Sequence, residues 1–227
     1  MNPNPDNAPR SADNRRSLPD AVELARRLVA SRLQRGDVAL DATVGNGHDA
    51  LWLARLVGAE GLVIGCDLQA AAVEATRIHL ATASVTCRTR LAQMDHTQLT
   101  EMVQESEKPQ VRAVMFNLGY LPGSDKTITT KPASTLSALE SITTWLPSGA
   151  IITVVAYPGH AGGTAERDTV LHWAMQLDSE KWCAQQWRAL NRKRPAPELV
   201  AVEHLPKPVP RNTRESSPGS CRNDQRN

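Results

Sequence analysis

The sequence predicts an α/β fold: a seven-stranded, mainly parallel sheet with an antiparallel last strand and helices on both faces. Three observations predict it. Short apolar runs alternate with segments of helical period, about ten to fifteen residues each, which is the pattern of crossover units on a parallel sheet. The last two apolar runs are joined by N-R-K-R-P-A-P (191–197) with no helix between them, too little chain for a parallel crossover, so they are predicted to be antiparallel neighbours. The chain has 227 residues, 41% of them apolar, which suits one such domain with tails.

In chain order, Pro19–Gln34 carries Val22, Leu24, Leu28, Val29 and Leu33 at helical spacing, with Ser17 as N-cap and Gly36 beyond the end. D-V-A-L-D (37–41) is a short apolar strand, followed by a helix at His48–Val57. L-V-I-G-C-D (62–67) is the second strand, and an Ala-rich helix at Gln69–Ala81 follows. Val85–Leu91 is a weaker strand, then a polar helix near His96–Ser106. V-R-A-V-M-F-N (111–117) is a buried strand, and Pro132–Trp145 is a helix with Leu136, Leu139 and Ile142 on one face. A-I-I-T-V-V-A-Y (150–157) is the most strand-like run, followed by a helix at Thr164–Leu177 and strands at Trp182–Leu190 and Glu198–His204. Seven strands ending in an antiparallel hairpin match the class I methyltransferase arrangement, whereas a plain dinucleotide-binding fold would end in parallel strands.

The ends are different in kind. Residues 1–17 are Pro, Asn, Asp and Arg with almost nothing to bury, and the chain from 206 onward is polar and basic, so both are expected to be disordered tails around a domain at 18–205. Twenty-six basic against 24 acidic residues leave a net charge of +2, which excludes a bulk polycation but not a local basic patch. Five Trp, two Tyr and one Phe are too few for a reader built on rows of stacking aromatics. Cys66, Cys87, Cys183 and Cys221 are widely spaced, which fits reduced thiols in a cytoplasmic protein. No signal peptide or membrane span is legible, and the carboxylates and histidines do not gather at metal-ligand spacings, so no metal is expected.

The chemistry gathers where strands end. After the first strand comes D-A-T-V-G-N-G-H-D-A, with Asp41 closing the strand and Gly45 and Gly47 making the turn into a helix. Such a turn lets backbone approach a ligand and aims free N–H groups at it, although two glycines can also serve only to turn. Against acidic-x-G-x-G-x-G the sole substitution is Thr43. The second strand ends in Asp67, twenty residues beyond Gly47, where a carboxylate can accept both ribose hydroxyls or merely cap a helix. The pair of features points to a nucleoside cofactor. At the end of the fourth strand stands Asn117-Leu118-Gly119-Tyr120. Amino-group methyltransferases acting on bases carry Asn/Asp-Pro-Pro-Tyr/Phe at this place, where the Asn carbonyl accepts an amine hydrogen and the ring stacks on the base. The alternative is a turn-capping Asn117 and a core Tyr120.

The long segment 117–136, rich in Gly, Thr and Lys, is unusual for a plain connection. With D-A-T-V-G-N-G-H-D, M-F-N-L-G-Y-L-P-G-S-D-K-T-I-T-T-K-P and Y-P-G-H in that order, the sequence resembles the small bacterial methyltransferases, often labelled rRNA methylases, that modify the tRNA wobble position. The resemblance implies S-adenosylmethionine-dependent N-methylation of 5-aminomethyl-(2-thio)uridine to the 5-methylaminomethyl form, with tRNA as partner through its anticodon region. It implies that Asp41, Thr43, Gly45, Asn46 and Gly47 hold the methionine end of the cofactor. Asp67 and Gln69 would bind ribose and neighbouring groups, and Asp95 and His96 would lie by the adenine. Asn117, Tyr120, Asp125 and Lys126 would line the transfer site, with Thr129, Thr130 and Lys131 close to tRNA.

Two departures from the family pattern stand out. The family reads Tyr-His-Gly-His after the fifth strand, where this chain has Tyr157-Pro158-Gly159-His160. The approach to the final strand carries Arg192, Lys193 and Arg194, suited to phosphates. Tyr157 and Arg194 are therefore read as substrate-side residues. His160, at the carboxyl edge of the sheet, is read as the residue that orients the amine or takes its proton, a turn-stabilising histidine being the alternative. Methylation of another RNA position or a small amine stays open, as does a module that binds without turnover.

Overall fold

The runs Val111–Asn117 and Ile151–Ala156 are apolar almost throughout, which suits strands covered on both faces. They are β4 and β5 of a seven-stranded sheet in the computed structural model, which describes residues 18–119 and 129–206. On one side stand β1 (Val38–Asp41), β2 (Leu62–Asp67) and β3 (Arg88–Gln93), on the other β6 (Trp182–Trp187) and β7 (Glu198–His204). The spatial order is β3-β2-β1-β4-β5-β7-β6. β1 to β5 pair in parallel, and β7 runs antiparallel to both β5 and β6. The predicted fold class is the observed one, with the last strand inserted between its two predecessors.

Helices α1 (Ala21–Ala30), α2 (His48–Val57) and α3 (Ala70–Thr82) cover one face, where Val29, Leu53 and Val73 meet Ala39, Val63, Met115 and Val155. Helices α4 (Pro132–Thr143) and α5 (Gly163–Gln176) cover the other with the 3-10 turn His96–Met102, burying Leu99, Leu139 and Trp173 on Leu40, Ile64, Phe116 and Ile152. Alternate residues of the same strands thus feed two separate cores, as the period of two requires.

Four expectations shift. The N-cap of α1 is Asp20, whose carboxylate accepts from the Glu23 N–H, while Ser17 lies outside the described residues. The helix stops at Ala30 because the Ser31 hydroxyl turns back onto the Leu28 carbonyl. The third strand begins at Arg88, since Ser84 takes a left-handed φ of 52° and delays its entry. The polar helix after it is a 3-10 turn, His96–Met102, and a second short one, Lys108–Gln110. Arg90 ends the first by donating to the Met102 carbonyl and pairing with Glu107, which lets Val103 leave the turn and enter the core. The expectations for residues 1–17 and 207–227 lie outside the described residues, as does Cys221. Cys66, Cys87 and Cys183 are free thiols.

Candidate active site

From β1 the chain winds outward to β2 and β3, then returns past β1 to begin β4. The loops leaving β1 and β4 therefore part in opposite directions, and a crevice opens at their carboxyl ends, where ligands bind in open α/β sheets. A cleft of about 810 Å3 occupies that place. Its walls are Thr43–Asn46 after β1, Asp67–Gln69 after β2, Met94 and His96 after β3, Asn117–Gly119 after β4, Tyr157–His160 after β5, and Pro195–Pro197 before β7. Thr129 and Thr130 close it from the far end of the long loop, and Val22 and Arg26 from α1.

The turn after β1 is built to sit tightly. Gly47 has φ +78°, and a β-carbon there would lie 2.9 Å from the Thr76 Cα. Its lack of a side chain lets the turn rest on α3, where the Thr76 hydroxyl donates to the Gly45 carbonyl at 3.1 Å. Asp67 fixes the turn from the other side: its Oδ2 accepts from Gly45 N–H and its Oδ1 from Gln69 N–H, both at 3.0 Å. Each oxygen keeps a second lone pair for a ribose hydroxyl. Thr43, the substitution in the glycine pattern, has its own task. Its hydroxyl accepts from the Asn117 N–H at 2.8 Å and ties the end of β1 to the end of β4.

Asp41 lies under this turn rather than on the cleft wall. It is fully buried, its Oδ1 accepts from Thr43 N–H at 3.2 Å, and its Oδ2 has no hydrogen-bond partner among the described residues. Burial above all, and then the nearby Asp49 carboxylate, push its pKa up to about 8. Between the ordinary value of 3.8 and about 8 the folded chain keeps a proton that the unfolded chain has released. This group's contribution to stability is therefore whole below about 3.8, falls as pH rises, and is lost once pH passes about 8. Asp41→Asn stays neutral throughout. The thermal midpoint of that variant relative to the parent is expected to rise steadily from pH 5 to pH 8 and then level off; a constant difference would contradict this.

On the β4 side, Asn117 donates from Nδ2 to Asp49 Oδ2 at 2.7 Å, and Arg26 Nε donates to Asp49 Oδ1 at 2.6 Å. Gly119 has φ +125°, and a β-carbon there would lie 3.2 Å from His160 Nε2, so the histidine ring packs against the backbone just beyond Asn117. The His160 Nδ1–H donates to the Ala161 carbonyl at 2.9 Å, which fixes the ring with its Nε2 edge toward Gly119. The two ends of the long loop are pinched together. Gly119 N–H donates to Thr130 Oγ1, and Thr130 N–H donates to the Gly119 carbonyl. The Thr130 hydroxyl in turn donates to Glu166, a buried carboxylate in the first turn of α5 that also accepts from Thr135.

Of the residues singled out in the sequence, the cleft gathers Thr43, Gly45, Asn46, Asp67, Gln69, His96, Asn117, Thr129, Thr130, Tyr157 and His160. His96 is buried, and that burial holds its pKa below the ordinary value. Asp95 does not line the cleft; its carboxylate caps the 3-10 turn through the Thr97 N–H. Thr130 is committed to the pinch, and Lys131 is an exposed residue at the start of α4, outside both the cleft and the groove beside it. Arg194 sits with Arg188, Arg192 and Lys193 in an adjoining groove that shares Pro195 and Ala196 with the main cleft. Tyr120, Asp125 and Lys126 lie outside the described residues. Sequence reasoning missed Arg26, Asp49 and Glu166. Asp49 stood inside the motif D-A-T-V-G-N-G-H-D unassigned, whereas Arg26 and Glu166 read as ordinary helix residues.

The residues present fit a nucleoside carrying a cationic chain. A glycine turn with backbone against the cleft, a carboxylate at the end of β2 and the apolar Leu68 and Met94 beside it supply the nucleoside half. Asp41 adds the capacity for negative charge beneath the turn. Among the described residues no cluster of His, Cys, Asp and Glu could hold a metal ion, and no helix is long and apolar enough to cross a membrane.

Comparison with known proteins identifies the family. A chloroplastic tRNA (mnm(5)s(2)U34)-methyltransferase of Arabidopsis thaliana is 37% identical over 189 residues, covering 79% of this chain and 68% of the relative. A solved "putative rRNA-methylase" of Clostridium thermocellum has a TM-score of 0.79 at 34% identity, covering 84% of this chain and 100% of its own. A "putative methyltransferase" of Streptococcus mutans, solved in complex with SAH, has a TM-score of 0.74 at 30% identity, covering 83% of this chain and 99% of its own. Residues 63–203 match the family described as "Putative rRNA methylase". That match spans more than half of the 227 residues, and the chain belongs to this rRNA methylase family.

Proposed function

We propose that this protein is a cytoplasmic S-adenosylmethionine-dependent N-methyltransferase acting on the amine of 5-aminomethyl-(2-thio)uridine at the tRNA wobble position. The product is the 5-methylaminomethyl form. The observation that carries the reading is one cleft with two walls: a nucleoside-binding wall from β1 and β2, and a wall from β4 and β5 where Asn117 and His160 stand together. The 37% identical Arabidopsis relative, named for the same modified nucleoside, supports the substrate.

Bound S-adenosylmethionine supplies a methyl group on a positively charged sulfur. The chain's residues prepare the nucleophile. An alkyl ammonium has no lone pair, so it must lose a proton first, and His160, which lines the cleft beside Gly119, is assigned to take that proton or to orient the amine. The Asn117 carbonyl then accepts a remaining N–H and aims the nitrogen lone pair along the line of displacement. Asp67 and the turn Gly45–Gly47 hold the other partner, so alignment comes from two walls fixed to each other through Thr43. Tyr120, which follows the pinch residue Gly119 in the chain, is assigned the face of the base.

The test is methyl transfer to tRNA from cells lacking their own wobble methyltransferase, with nucleosides read by mass spectrometry. One methyl gained on 5-aminomethyl-uridines establishes the reaction. No gain, with cofactor binding intact, moves the substrate to another RNA or a small amine. The positions responsible would then be Pro158, which lines the cleft where the family has histidine, and the Arg192–Arg194 loop.

That loop also gives the RNA its footing. Arg188, Arg192, Lys193 and Arg194 are exposed along the groove beside the cleft, so phosphates there displace counterions. Changing Arg192, Lys193 and Arg194 together to alanine is expected to lower the slope of log affinity against log salt by about two to three. An unchanged slope would take these residues out of the RNA interface.

A further inference from the structure

An asparagine side chain has one donor end and one acceptor end of nearly equal shape, so something must decide which end faces a substrate. At Asn117 a neighbouring carboxylate decides. Its Nδ2 lies 2.7 Å from Asp49 Oδ2, and a carboxylate only accepts, so the amide NH2 faces Asp49 and the carbonyl oxygen is left for the cleft that Asn117 lines. The other oxygen, Asp49 Oδ1, is taken by Arg26 Nε at 2.6 Å. The Asp49 side chain is about one-tenth exposed, and it sits in the first turn of α2, immediately beyond the glycine turn. Both of its oxygens are thus committed, one to each donor.

We propose that Asp49, held by Arg26, is a positioning residue that fixes the Asn117 amide with its carbonyl toward the amine substrate. This rests on the reading of Asn117 as the amine's acceptor. A reversed amide would present N–H groups to the amine, which oppose its own N–H groups or take up the nitrogen lone pair, so the lone pair would lose its aim. The relay reaches from α1 through α2 to the end of β4, so the N-terminal helix, which also walls the cleft through Val22 and Arg26, contributes to orientation at the reacting centre.

The relay makes an isosteric substitution worse than a truncation. Asp49→Asn has one acceptor where two are needed. Its carbonyl goes to Arg26, its NH2 faces Asn117, and the Asn117 amide turns over. Asp49→Ala leaves Asn117 undirected but not reversed. The expected order of kcat is therefore parent, then Asp49→Ala, then Asp49→Asn, with the last reduced about tenfold to a hundredfold and affinity for S-adenosylhomocysteine held. Packing alone would give the opposite order of the two variants. Combining Asp49→Asn with Arg26→Met frees the carbonyl of the introduced amide to face Asn117, and this pair is expected to recover at least a third of the kcat lost by Asp49→Asn.

Kinetics are read on tRNA carrying 5-aminomethyl-2-thiouridine, and the amide is also read without substrate. In the 15N-labelled parent with S-adenosylhomocysteine, one Asn117 side-chain proton should be shifted downfield and slow to exchange. It should be lost in Asp49→Asn and return in the double variant. Asp49→Ala more impaired than Asp49→Asn, no recovery in the double variant, or no such proton in the parent would each overturn the relay. If Asn117→Ala keeps full kcat, or the parent does not methylate this RNA, the functional reading fails, and the amide proton alone still decides the relay.

Discussion

Asn117→Ala is expected to lower kcat by about a hundredfold to a thousandfold while affinity for S-adenosylhomocysteine changes by less than about threefold. The split follows from how the residue is held. Its backbone N–H donates to the Thr43 hydroxyl, and that bond survives truncation at Cβ, so β1 and β4 stay joined. Asp49 keeps Arg26 and loses only one neutral donor. The glycine turn and Asp67 belong to the other wall and lose nothing. What disappears is the acceptor for the amine. Steady-state kinetics with cofactor titration check this, and equal losses in kcat and cofactor affinity would make Asn117 a structural residue instead.

The second large effect is expected at Gly47. Alanine there must hold φ near +78°, at about 1–3 kcal/mol for a residue with a β-carbon. The new carbon would also stand 2.9 Å from the Thr76 Cα, a backbone atom of a packed helix that cannot step aside as a side-chain tip can. The turn must therefore lift off α3, which breaks the Thr76 bond to the Gly45 carbonyl and moves the Gly45 N–H away from Asp67. Gly47→Ala is expected to weaken S-adenosylhomocysteine binding by about tenfold to a hundredfold and to lower the thermal midpoint by about 5–10 °C. Calorimetric titration and thermal unfolding would show both, and normal binding with normal stability would mean that the turn yields more easily than this packing allows.

Much of the fold was legible because the central strands announce themselves. β2, β4 and β7 have the bounds that the sequence indicates, each an apolar run closed by Asp67, Asn117 or His204. β3 did not, because an edge strand such as R-T-R-L-A-Q is half solvated and its polar residues hide the alternation. The cleft was legible where the chemistry is local: a glycine turn after β1, an acid at the end of β2, an asparagine at the end of β4. It was not legible where three segments converge. Arg26 lies 23 residues from Asp49, and Asp49 lies 68 residues from Asn117, so no spacing rule joins them. Glu166 reads as an exposed acid favoured by the start of a helix, and only the packing of α5 against α4 buries it with Thr130 and Thr135. Asp95 and Lys131 sit beside residues that do face the cleft, and neighbours in sequence need not share a direction.

The insertion of β7 between β5 and β6 divides the molecule's labour. The connection 188–197 leaves β6 and enters β7 at the carboxyl edge, so its Pro195–Pro197 end reaches the cleft while its cationic part stays outside. None of the hydrogen bonds that set Asp67, Thr43, Asp49 or Asn117 involves this hairpin. Its tip is therefore at liberty to change in length or charge without disturbing the hydrogen bonds that shape the cleft.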